Sequence, residues 1–99
     1  MNMSFLNGVS DAALFEQAAE EAVELAHALL KFARIMRNEN PTPTTADAAL
    51  SAINEECSDM HLCMDILRCR LGGKGMRMGI DTDIIDEKIA RWKARIRTP

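Results

Sequence analysis

The chain has 99 residues, enough for one domain and too few for two. Its formal net charge of −3 argues against general affinity for nucleic acid, though not against a nucleotide held through a metal ion. No stretch approaches membrane-spanning length and no basic segment leads into an apolar run near the start, so neither a membrane segment nor a secretory signal is expected.

Alanine, leucine, methionine and acidic residues are plentiful, whereas aromatics amount to three Phe, one Trp and no Tyr. That balance favours helix over strand. The expected class is all-α: an antiparallel helical bundle of about three main helices, completed by oligomerisation. A chain this short buries a modest share of its own surface, and self-association would help it enclose a site.

Residues 1–9 carry little pattern and are expected as a loose arm. Ser10 is placed to cap a first helix running from about Asp11 to Arg37 or Asn38. Its apolar face holds Leu14, Leu25, Ala28, Phe32 and Ile35, and its outer face Glu16, Glu20, His27, Lys31 and Arg34. The run from Asn38 to Thr45, with two prolines and two asparagines, ends that helix. Thr44 and Asp47 resemble a capping box for a second helix from about Thr45 to Arg70. A connection of this length allows the two helices to run antiparallel.

Cys57, Cys63 and Cys69 lie on that second helix without metal-site spacing, as expected of reduced thiols filling core gaps in a cytoplasmic protein. Residues 71–80 are glycine-rich and expected as a flexible loop, either a linker or a lid carrying Lys74 or Arg77 over a phosphate. The loop lacks the spacing of a phosphate-binding P-loop. A third helix is expected from Asp81 to about Arg97, with Ile85, Ile89, Trp92 and Ile96 turned inward. Lys88, Arg91 and Arg95 flank that stripe, either as a solvated basic face or as a row facing phosphate.

Two acidic pairs break the apolar pattern. Glu21 and Glu24 share the first helix, Glu56 and Asp59 the second, each pair separated by two residues. At about 100° per residue, Glu21 and Glu56 fall within the apolar stripes, Glu24 and Asp59 at their edges, and Glu20 and Glu55 outward. Carboxylates are rarely buried without compensation. Acids three apart on a helix are neighbours, and two antiparallel helices can bring both pairs around one site. A divalent cation is the simplest common compensation, and an all-oxygen donor set suits magnesium, with manganese possible, over zinc. Paired or protonated structural acids are the alternative.

With the doubled acids Glu20-Glu21 and Glu55-Glu56, the segment Leu25 to Lys31, the Asn40-Pro-Thr-Pro linker and a basic last helix, these motifs resemble the MazG-like all-α nucleoside triphosphate pyrophosphohydrolases. The resemblance spans roughly residues 12–97 of the single domain 1–99. The interval between the acidic pairs is longer than in most members, and the chain is a small single-domain form.

The resemblance implies magnesium-dependent cleavage of a nucleoside triphosphate, ribo or deoxy, to monophosphate and pyrophosphate by a homodimer or homotetramer. Glu21, Glu24, Glu56 and Asp59 would hold metal. One of them, or Glu20, would activate water, and Lys31, Lys88 and Arg95 would meet the phosphates. Two other readings compete with it. Glu24 and His27 have the spacing of a di-iron carboxylate bundle, although His27 points toward the polar side. A non-enzymatic helical interaction module is the other.

Overall fold

The computed structural model describes residues 2–39 and 44–97. Local sequence sets the helix ends. A 3-10 turn at Ser4–Leu6 precedes α1, Asp11–Met36. Ser10 stays extended and its Oγ accepts the Ala13 N–H at 3.1 Å, satisfying one of the donors a helix start leaves open. Asn38, with φ 55°, closes the other end: the Glu39 N–H reaches the Arg34 carbonyl at 3.1 Å in a Schellman pattern.

Helix α2 covers Ala46–Gly72 and is capped by Thr45, whose Oγ1 accepts the Ala48 N–H at 3.1 Å. The cap is therefore one residue later than the Thr44–Asp47 pattern suggested. Gly75, with φ 74°, ends α2 as Asn38 ends α1, and the Met76 N–H returns to the Leu71 carbonyl at 3.0 Å. Helix α3 covers Thr82–Arg97, with Asp81 Oδ1 accepting from the Asp83 and Ile84 amides at 3.0 and 3.3 Å. The described residues are all-helical apart from turns and loops, and contain no strand. No described helix is long and apolar enough to cross a membrane. Residues 40–43, the centre of the expected extended connection, lie outside the described residues.

Helices α1 and α2 pack antiparallel, the start of α1 lying beside the end of α2. Leu14, Ala18 and Leu67 form the buried centre, with Leu6, Val9, Met60, Cys63, Ile66 and Met78 packed around it. One polar clamp pins the seam at this end. Arg70 Nη1 donates to Asp11 Oδ1 and to the Val9 carbonyl, both at 2.9 Å, and Nη2 donates to the Leu6 carbonyl at 3.0 Å. Lys74 pairs with the other oxygen of Asp11. The hydrogen bonds from Lys74 and Arg70 hold the Asp11 carboxyl below its usual range.

Four expectations change here. The described part of the expected loose arm, residues 2–9, is held to the helix pair: Arg70 grips the Leu6 and Val9 carbonyls, and the Leu6 and Val9 side chains pack on the core. Lys74 is held by Asp11 and Met78 packs on the core, so the glycine-rich segment is tied to the helix pair at two points. Of the three thiols, only Cys63 packs against the core; Cys57 and Cys69 are exposed. Finally, α3 does not turn its apolar stripe inward. No Cα of α3 lies within 8 Å of one in α1 or α2 among the described residues. Trp92 is 64% exposed and Ile96 82%. Amphipathic periodicity identifies which face of a helix wants a partner without saying that the same chain supplies it.

Leu67, at 3% exposure, is buried between α1 and α2 near the end that the Arg70 clamp pins. We expect Leu67→Ala to cost about 2–5 kcal/mol in denaturant unfolding at fixed protein concentration. A loss well under 1 kcal/mol would place the core elsewhere.

Candidate metal centre

The acidic seam lies further along the same helix pair. Glu21 and Glu24 sit one turn apart on α1, and antiparallel packing sets Glu56 of α2 against them. One carboxylate oxygen from each of the three lies within 4.8 Å of the others. Glu21 and Glu56 are half-buried and Glu24 is exposed, so the cluster is open on one side.

Hydrogen bonding leaves this cluster incomplete. Glu21 Oε1 accepts from the Gln17 side-chain amide at 2.9 Å. Glu21 Oε2 and Glu56 Oε2 are buried and have no hydrogen-bond partner. Buried polar atoms without partners are rare, and two in one cluster of like charges call for a shared counter-charge. Burial pushes the Glu56 carboxyl above its usual range, and the charges of Glu24, Asp59, Glu21 and Glu55 push it further. The Cys63 thiol is raised by burial and then by Glu21 and Asp59, so it remains a protonated neighbour of the acids.

These residues fit a hard divalent cation. Magnesium binds oxygen at about 2.0–2.1 Å, takes few protein carboxylates and keeps positions for water or phosphate oxygens. Three carboxylate oxygens within 4.8 Å of one another are fewer than the six positions of such an ion and leave the rest for both. The buried unpartnered oxygens of Glu21 and Glu56 are the atoms such an ion would satisfy.

Asp59 lies outside the three-oxygen cluster. It lines a cavity of about 290 Å³ with Glu21, Gln17, Leu62, Cys63 and Ile66. Glu20 and Glu55 are exposed, as expected of their outward positions. Lys31 is exposed on α1, seven residues beyond Glu24 and so about 10 Å along the axis on the same side. Lys88 and Arg95 are exposed on α3, and the single chain does not bring them to the acids. His27 is exposed and no histidine belongs to the cluster, so nothing in this geometry favours the di-iron reading.

Gln17 was not foreseen as part of the site. Its signal was present in the sequence: it precedes Glu21 by four residues, the spacing at which a glutamine amide meets a carboxylate on a helix. A larger cavity of about 470 Å³ is lined by Arg68, Arg77 and neighbours of the 73–81 segment and contains none of the acids. Comparison with protein families, with curated proteins and with solved structures finds no match.

Because Glu56 holds its proton more tightly in the folded chain, its contribution favours folding at low pH. That contribution is lost as pH rises from its ordinary 4.5 through the raised value. At neutral pH, where the unfolded chain has given up this proton, Glu56 therefore burdens the metal-free fold. We expect Glu56→Gln to raise the denaturation midpoint of metal-free protein at pH 7 and to flatten this part of the stability profile. A lowered midpoint at pH 7 would mean that the chain already compensates the charge.

Proposed function

We propose that the chain is a cytoplasmic, magnesium-dependent nucleotide pyrophosphohydrolase of the MazG-like kind, acting as a homodimer or homotetramer. It would convert a nucleoside triphosphate, ribo or deoxy, to monophosphate and pyrophosphate. The observation that carries this reading is the convergence of Glu21, Glu24 and Glu56 from two helices, with buried, unpartnered oxygens on Glu21 and Glu56.

Glu21, Glu24 and Glu56 hold the cation, and Asp59 completes the acidic wall on the cavity side. Magnesium (or manganese) supplies charge neutralisation on the polyphosphate and orientation of the attacking water. Gln17 holds Glu21 by donating to its Oε1, and the buried Oε2 is left without a hydrogen-bond partner. Water attacks the α-phosphorus, the bond to the bridging oxygen of the β-phosphate breaks, and pyrophosphate leaves. A carboxylate of the cluster, or Glu20 beside it, takes the proton released by the water. Lys31 stands two turns beyond Glu24, where an extended polyphosphate would pass, and Lys88 and Arg95 supply further positive charge.

The test is product identity. Purified protein with magnesium and a panel of ribo- and deoxyribonucleoside triphosphates should yield monophosphate and pyrophosphate in equal amounts. Glu56→Gln should lose more than the roughly 10–100-fold typical of changes outside the direct ligands. Orthophosphate as the first product, or turnover unchanged in Glu56→Gln, would overturn the reading.

A further inference from the structure

The single chain is unfinished in a quantitative sense. It exposes 7844 Å², whereas a folded protein of 11.0 kDa exposes about 5,600 Å². Its radius of gyration is 17.6 Å, against about 12.6 Å for a compact chain of 99 residues. The excess of roughly 2,200 Å² per chain matches one partner's share of a large obligate interface. Helix α3 contributes to it. Ile85, Ile89, Trp92 and Ile96 form one continuous stripe on a helix that packs on neither α1 nor α2.

Charge says what covers that stripe. Helices α1 and α2 each carry five acids against two bases, and α3 carries five bases against three acids. Lys88 and Arg95 border the stripe on one side and have no ion-pair partner among the described residues, whereas Arg91 is paired with Glu87. The complement is the cavity of about 290 Å³ on the α1–α2 pair, where Leu62, Cys63 and Ile66 form an apolar floor edged by Glu21 and Asp59. An apolar stripe with a basic flank faces an apolar floor with an acidic edge.

We propose that α3 is an exchanged arm. In a dimer of this chain it packs over that cavity on the second copy, burying Ile85, Ile89 and Trp92 and setting Lys88 and Arg95 beside the second copy's acidic seam. Each acidic centre is then completed by cations from the other chain. The exchange stands apart from the proposed hydrolysis; only the use of Lys88 and Arg95 on phosphate rests on that reading.

Trp92 is the sole tryptophan, so its fluorescence reports on α3 alone. The full chain should sediment as a dimer or a higher even assembly at micromolar concentration, with Trp92 emission shifted to the blue and shielded from acrylamide. Ile89→Asp should weaken assembly by roughly 30-fold or more, the scale of an interface hot spot, and expose Trp92 while helicity is kept. Carbodiimide cross-linking of a 1:1 mixture of light and ¹⁵N-labelled chains needs no variant. Lys88 should couple to Glu20, Glu21 or Asp59 in mixed-mass pairs. A monomer with exposed Trp92, a monomer with shielded Trp92, or a dimer with freely quenched Trp92 would each overturn the exchange. So would cross-links confined to chains of one mass, or a dimer without any Lys88 cross-link. None of these readings uses turnover, so failure of the hydrolase proposal is scored separately.

Discussion

The structure depends on a conflict between burial and charge along one seam. The packing of α1 on α2 that buries Leu14, Ala18 and Leu67 also draws Glu21, Glu24 and Glu56 together two to three turns further on. Two rigid helices in antiparallel contact cannot bury the first set without crowding the second. Like charges in partial desolvation repel more strongly than in water, and the Glu56 carboxyl is raised first by its own burial and then by the charges of Glu24, Asp59, Glu21 and Glu55. The clamp of Arg70 and Lys74 on Asp11 shows how the same chain treats a carboxylate it means to neutralise: two cations are supplied within hydrogen-bond reach. At the three-glutamate cluster the chain supplies Gln17 alone, and two oxygens stay unpartnered. The contrast between the two ends of one helix pair is the basis for assigning the cluster to an external cation.

The second constraint is size. A helix pair has one seam, and among the described residues the buried apolar side chains are Leu14, Ala18, Ala49 and Leu67, while large apolar side chains stay on the outside of every α-helix. Helix α3 is amphipathic enough to form another seam and basic enough to suit an acidic one. Under the proposed exchange, its separation from α1 and α2 within the chain ties site completion to assembly. On this account the acidic centre and the exposed stripe are two halves of one arrangement, one lacking positive charge and the other lacking a surface to cover it.

Much of this was legible in the residues. Ser10 and Asp81 mark helix starts because short polar side chains satisfy free amides, and both do so. Glu21 and Glu56 stood out because helical periodicity placed them among apolar residues, and both are half-buried with one orphaned oxygen. The misses have a common cause. Periodicity showed that Ile85, Ile89, Trp92 and Ile96 share a face, but no single-helix pattern encodes what lies opposite. The grip of Arg70 on the Leu6 and Val9 carbonyls spans some sixty residues and leaves no local signature. Thr45 in place of Thr44 as the cap of α2 is a one-residue choice that neighbouring hydroxyls leave undecided. Gln17 escaped notice because a glutamine on a helix surface is ordinary until its partner is known to be half-buried.

The most direct test of the central claim is to titrate metal-free protein with Mn²⁺ at neutral pH and follow the free ion by electron paramagnetic resonance. The account predicts saturable binding at a fixed number of ions per chain, displaced competitively by magnesium and abolished when Glu21 and Glu56 are both changed to Gln in a chain that remains helical. Binding that never saturates, or that persists unchanged in the doubly substituted chain, would contradict it.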